Sequence, residues 1–276
     1  MVRLARVVRL LPGSIVLFLV LLAVLVPSLF THLDPLKMSS DVLSGPMSGH
    51  PLGTDGFGRD IFARIVYGAR PDMEITLGAV FIAGVLGTPI GMLGSYFGGV
   101  AASLTTSAIN VLISFPPIVL AMFVVAFLGP GVVHLMLIIG FLYAPMFARL
   151  SFTEVVAVRN VEFVDAARAV GCSRMRILAL HILPNIIGPI IVLASLSAST
   201  ALLLASGLSF LGLGVVPPTP SWGEMIANSQ QFLFQDPKFL LWPSLALSLT
   251  VLAINSIGDV LRDYLDPHAR TRASGA

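Results

Sequence analysis

Ionisable residues are scarce in this sequence, and the most informative gathering lies at residues 160–185, NVEFVDAARAVGCSRMRILALHILPN. Glu162, Asp165, Arg168, Arg174, Arg176 and His181 stand there among small and apolar neighbours. Their spacing suits binding, not bond-making. No phosphate-cradling GxxxxGK[ST] run occurs anywhere in the chain, so it offers no ATP site of that kind. Two readings of the segment stand side by side. It is a surface that a partner approaches at Ala166 and Ala167, or an amphipathic hairpin whose arginines meet lipid phosphates.

Two further sets have suggestive types. Arg59, Asp60, Arg64 and Arg70 cluster near the end of a polar, turn-rich stretch; local salt bridges that fix a following helix account for them better than substrate contact does. Asn110 and Ser114 share a helical face at i, i+4 and could line a hydrated path. Most of their hydroxyl neighbours, Ser103 to Ser107 and Ser195 to Thr200, fit ordinary packing by small residues between helices. His134 has no companion ligands in sequence.

The elements that position these residues follow from charge. The chain has 276 residues, 56% hydrophobic and only 11% charged, against about 25% charged in soluble domains. No Asp, Glu, Lys or Arg falls between Glu74 and Arg149, or between Arg176 and Glu224. A charge at the centre of a membrane helix costs about 2.5–3.5 kcal/mol, so these deserts are expected where chain crosses hydrocarbon. The net charge of +2 gives no reason to expect nucleic acid, and the lone Cys172 excludes an internal disulfide.

A crossing helix takes about 20 apolar residues. Residues 11–30 form a first span too long for a signal-peptide core. The desert at 75–148 holds three spans, broken at Gly94 to Gly99 and at Gly129-Pro-Gly131. A fifth falls near 186–206 and a sixth near 239–260. Six spans gather Arg3, Arg6, Arg9, Arg149, Arg159, Arg168, Arg174, Arg176, Arg262, Arg270 and Arg272 on one side, eleven of the 16 basic residues. The positive-inside rule makes that side, with both termini, cytoplasmic. An inverted five-span arrangement fits the charges similarly but demands helices of about 37 residues, well beyond the usual range of about 17–25. The resulting plan is a cytoplasmic N-terminus (1–10), a first helix (11–30), an external loop with an interfacial helix (31–73, the helix near 60–67), a core (74–260) and a cytoplasmic tail (261–276). Trp222, in the external loop at about 207–238, suits a membrane–water interface, and Pro217, Pro218 and Pro220 stiffen that loop.

Within the cytoplasmic loop at about 152–185, Asn160 is expected to cap a short helix carrying Glu162 in its first turn. Gly171 supplies the left-handed stop. Ser173 caps a second helix that runs to about His181, and Pro184 marks the return to the membrane.

These residues resemble a known family. Asp165-Ala-Ala, Gly171 and Leu183-Pro184 look like the EAA loop of bacterial ABC importer permeases, with Asp165 where glutamate is usual. His50-Pro-Leu-Gly-Thr-Asp-Gly-Phe-Gly-Arg-Asp60, Tyr67-Gly-Ala-Arg70, Ser114-Phe-Pro116, Leu208-Ser-Phe-Leu-Gly-Leu-Gly214, Pro217-Pro-Thr-Pro-Ser-Trp-Gly223 and the stretch from Gly258-Asp259 to Pro267 narrow the likeness to the dipeptide, oligopeptide and nickel class. Asn110 stands where an acidic residue is common. The resemblance implies an all-α polytopic membrane protein with six transmembrane helices and the type I importer permease fold. It implies that Glu162, Asp165, Ala166, Ala167 and Gly171 couple to an ATPase, with Asn110 and Ser114 as pathway candidates.

The implied partners are a homologous permease in a heterodimer, two cytoplasmic ABC ATPases that hold ATP and Mg, an extracytoplasmic solute-binding protein, and the lipid of the bacterial inner membrane. This chain itself takes no cofactor or metal and is not an enzyme. Its expected role is half of a translocation pathway for di- or oligopeptides, with nickel or another small solute as the alternative cargo. A secondary transporter would carry ionisable groups inside its spans, which are lacking here. A membrane hydrolase fails at Gly207-Leu-Ser209, which lacks the closing glycine of a nucleophile elbow and any intramembrane base.

Overall fold

The structure, a computed structural model, describes residues 2–265, with side chains from residue 11 onward. Asp266, Pro267 and the rest of the expected tail, and the side chains of Arg3, Arg6 and Arg9, lie outside the described residues. Among the described residues the regular structure is helical, with two isolated bridges, Met47 to His50 and Thr54 to Asp60. In chain order the helices are α1 (Val2–Leu25), α2 (Ile61–Phe97), α3 (Gly99–Ile113), α4 (Pro117–Leu128), α5 (Val132–Val158), α6 (Glu162–Ala169), α7 (Arg174–Arg176), α8 (Leu183–Phe210), α9 (Trp222–Ser229) and α10 (Pro237–Leu265). The six expected spans correspond to α1, α2, α3 with α4, α5, α8 and α10. Of these, α2, α5, α10 and the continuous run Arg174–Phe210 are each long and apolar enough to cross a membrane alone, while α1 contributes the shorter apolar stretch Leu11–Leu25.

Helix breaks fall where glycine was expected to place them. Gly98 closes α2, and Gly129 and Gly131 flank the turn from α4 to α5. His134 lies at that turn, its Nδ1 3.1 Å from the Gly129 carbonyl. The third span, however, is two arms bent by 86° at Ser114-Phe115-Pro116. Pro116 and Pro117 bring no N–H, so the carbonyls of Leu112 and Ile113 lose their helical donors. At 15 and 12 residues, the arms are about 22 and 18 Å long, too short to cross singly.

Two other expectations are corrected. No separate interfacial helix forms at 60–67; those residues are the first turns of α2, whose 37 residues span about 55 Å and overreach a hydrocarbon core of about 30 Å. Nor does Pro184 interrupt the chain. After the single turn α7, residues Ile177–Ile182 widen into a π-helical segment, with the Leu183 amide donating to the Leu178 carbonyl, and α8 follows without a break. Widening the turn just ahead of Pro184 places its missing donor in the first turn of α8, where proline is tolerated.

The core is α2 laid against α5. At Gly87 and Gly91 an added methyl would collide with the Ala144 and Ala148 carbonyls, so the two backbones touch directly. Such close approach is how helices associate where lipid offers no hydrophobic contrast. Ile75, Ala79, Leu135, Ile139 and Phe147 fill the seam. A second cluster joins Ala23 of α1 to Val66, Trp222 and Ile254, while Gly13 meets Ser256 and Gly188 faces Leu265. Therefore α1 starts and α10 finishes at the end of the bundle that carries α6. The folded stretch 31–60 and α9 occupy the opposite end.

Candidate functional site

At the α6 end the chain makes a helix, a glycine turn and a second helix. The N-cap position of α6 is Val161, not Asn160, and it makes no side-chain cap; Glu162 and Asp165 in the first turn offset the exposed amides instead. Gly171 has φ +80°, and the Cys172 amide donates to the Ala167 carbonyl at 3.1 Å, closing a Schellman stop. Ser173 then caps α7 by accepting from the Arg176 amide. Glu162, Asp165 and Ala166 face outward, as do Phe163 and Val170. Ala167 does not: it is buried beside Val164 against the chain's own core. The smooth patch expected from Ala166 and Ala167 is thus split, with Ala166 alone presented outward, because adjacent helical positions lie about 100° apart.

This loop is tied to the end of α2. Arg159 donates to the Ser95 carbonyl at 2.7 Å. Arg168 bonds Asp165 at 2.9 Å and the Arg159 carbonyl at 3.1 Å, and its guanidinium lies 5.8 Å from the Tyr96 ring. Arg174 stands at the same distance over Phe97. The loop is therefore fastened to the core helix, while Glu162, Asp165 and Ala166 stay outward-facing.

The opposite end is a buried polar knot. Asp55 accepts from the Phe57 and Arg59 amides and pairs with the Arg59 side chain at 2.7 Å. Arg64 lies between Asp55, at 3.5 Å, and Glu224 of α9, at 2.8 Å. Burial pushes the Glu224 carboxyl above its usual range, against the opposing pull of Arg64 and Arg59. Asp60 caps α2 through the Ala63 amide and pairs with His50. Asp72 accepts from the Trp222 amide at 2.8 Å, and the Trp222 indole donates to the Ile65 carbonyl at 3.0 Å. Trp222 is thus a buried clamp between α2 and α9, not an interfacial anchor; its indole finds its acceptor inside the protein. Local salt-bridging accounts for Arg59, with Asp55, and for Arg70, with Glu74 on the surface at 2.9 Å, whereas Asp60 caps α2 and the close partner of Arg64 is the distant Glu224. Glu224 and Asp72 were missed in the sequence because their partners lie 160 and 150 residues away.

Between the two ends, α3 shows two kinds of exposed face. Val100, Leu104, Ala108 and Val111 make one, apolar throughout. Ser103, Ser107, Asn110 and Ser114 make the other, at i, i+4, i+7 and i+11. The structure brings Asn110 and Ser114 together, the Ser114 hydroxyl donating to the Asn110 carbonyl at 2.7 Å. The polar face leads into the proline elbow with its bare carbonyls. Irregular backbone at membrane depth is tolerated only against protein or a water-filled cavity. A lipid-facing role fits the first face and not the second.

Comparisons with known proteins agree on one family. The family described as binding-protein-dependent transport system inner membrane component matches residues 83–271. A dipeptide transport system permease protein of Alkalihalophilus pseudofirmus is 41% identical over 252 residues, 91% of this chain and 83% of that protein. A glutathione transport system permease protein of Pectobacterium atrosepticum is 38% identical over 227 residues, 82% of this chain and 75% of that protein. Among solved structures, an inward-facing MetNI methionine ABC transporter aligns with a TM-score of 0.61 at 19% identity, covering 74% of this chain and 96% of that one.

Proposed function

The chain belongs to the family of binding-protein-dependent transport system inner membrane components, and from that premise we propose that it forms half of the translocation pathway of an ATP-driven importer of di- or oligopeptides. The observation that carries this reading is the α6 loop, which presents Glu162, Asp165 and Ala166 outward while Arg159, Arg168 and Arg174 tie it to α2. A docked ATPase that moved α6 would move α2, and with it the far knot at Arg64 and Glu224. The relatives are named for dipeptide and glutathione transport, and glutathione is itself a tripeptide, which supports short peptides as cargo.

In this reading a related permease completes the pathway, two cytoplasmic ATPases hold ATP and Mg, and an extracytoplasmic binding protein delivers the peptide. The chain itself holds no nucleotide. The α6 end, with both termini, faces the cytoplasm of a bacterial inner membrane, and the α9 end faces outward. Two single-cysteine variants in a Cys172→Ser background test that orientation: Val170→Cys, at a site 80% exposed, and Phe234→Cys, at one 100% exposed. A membrane-impermeant maleimide added to intact cells is expected to label the second and spare the first. Labelling of both, or of Val170→Cys alone, overturns the arrangement. ATP-dependent dipeptide uptake by the complete complex in proteoliposomes tests the transport itself.

A further inference from the structure

Where α3 meets α5, a cavity of about 210 Å³ is lined by Thr106, Ile109, Asn110, Arg149, Phe152 and Thr153. Four of these six side chains are polar or charged. The larger cavity, about 690 Å³ between α2 and α8, has Thr88 as its one polar side chain among residues such as Leu77, Phe81, Val85, Ile187 and Ile191, a lining suited to acyl chains. The smaller one lies beside the polar face of α3, on the side that leads to the elbow.

Arg149 is exposed there, and its guanidinium has no hydrogen bond or ion pair among the described residues. The Asn110 side-chain amide is likewise unbonded; its backbone carbonyl alone is used, by Ser114. With an amide and not a carboxylate at 110, nothing in the cavity neutralises Arg149. Nine residues before the end of α5, toward the α6 end of the bundle, this unpaired guanidinium is open to water or an anion, and its planar fork matches a carboxylate in particular. Asn110 adds a second donor, and the Thr153 hydroxyl a third once it releases the Arg149 carbonyl that it now bonds at 3.1 Å.

We propose that Arg149, with Asn110 and Thr153, is a carboxylate-binding station in the pathway that takes the C-terminal carboxylate of a passing peptide. The proposal rests on the permease reading above. It accounts for how one path serves peptides of differing side chains: the carboxylate is common to all of them, and a site on the pathway wall that reads only this group leaves the side chains unread.

The test uses the complete complex with Cys172→Ser and Ser107→Cys as a reporter on the polar face, without binding protein or ATP. Labelling is followed with an anionic and a cationic methanethiosulfonate of similar size. The anionic reagent is expected to be favoured, and Arg149→Gln to lower the anionic-to-cationic rate ratio about fivefold, as one unit charge some 7–10 Å away in water implies. A free-acid dipeptide at tens of millimolar is expected to slow the anionic reagent, while its C-terminal amide does not. Arg149→Gln removes that protection, and Asn110→Asp, which places a carboxylate in the cavity, removes it with the guanidinium still present.

Inert Ser107→Cys would put the α3 face against lipid or the partner subunit and overturn the station. A ratio insensitive to Arg149→Gln would mean that a lipid phosphate or a partner's acid already neutralises the guanidinium, with the same consequence. So would equal protection by acid and amide, or none. ATP-driven uptake by the wild-type complex judges the permease reading separately, so the two can fail independently.

Discussion

At the α9 end, Asp55, Arg59, Arg64 and Glu224 are buried against one another, whereas at the α6 end Glu162, Asp165 and Arg168 stand in solvent. Both ends carry both signs of charge, and both flank the same long helix α2. The first pairs its charges within the chain, leaving Arg64 Nε without a hydrogen bond, so its charges act as structure. The second spends three arginines on fixing its backbone to α2 and leaves its outward side unmatched. A charge buried in a paired network is costly to disturb, while an exposed pair is worth little to stability. The α9 end is therefore expected to govern folding, and the α6 end to govern coupling.

The largest expected effect comes from breaking the knot. Arg64→Met leaves Asp55 and Glu224 facing an apolar side chain and is expected to cost about 3–5 kcal/mol, read as a collapse of the melting temperature in detergent. An unchanged melting temperature would make the α9 end no more structural than the α6 end. Smaller but still measurable is Gly171→Val. A β-branched residue at φ +80° is expected to cost about 1–2 kcal/mol and to lower peptide uptake along with stability. Trp222→Phe removes the indole donor to Ile65 and is expected to cost about 1 kcal/mol, seen as a modest fall in the same melt. Least of all, Asp165→Ala should change stability by no more than about 0.5 kcal/mol, because its 2.9 Å partner Arg168 is itself exposed and keeps its bond to the Arg159 carbonyl. A larger loss there would erase the contrast between the two ends.

Much of this was legible in the sequence. Charge deserts marked the four helical stretches that are long and apolar enough to cross a membrane and the bent pair α3 with α4, and Gly98, Gly129, Gly131 and Gly171 fell at turns because positive φ is cheap only for glycine. Ser173 capped as expected. What stayed hidden was of two kinds. Local geometry can override a single residue's habit: Pro184 did not end a helix because a π-helical turn preceded it, and Ser114-Phe-Pro116 bent its span by 86°. The other kind is distance along the chain. Trp222 looks interfacial until Ile65 and Asp72 are beside it, and the cluster around Arg64 is incomplete without Glu224. Arg149 was visible as the edge of a charge desert and as one of the arginines on the cytoplasmic side; what singles it out is Asn110 across the cavity, on another helix.

The most direct measurement pairs uptake with stability in one variant, Ala166→Trp. Ala166 is exposed on α6 and its replacement touches none of the bonds that fix the loop. In proteoliposomes holding the full complex, the wild type is expected to take up dipeptide only with ATP, and Ala166→Trp to lose that uptake with its melting temperature unchanged. Wild-type uptake in Ala166→Trp, or uptake that needs no ATP, would contradict the claim that this surface couples the chain to an ATPase.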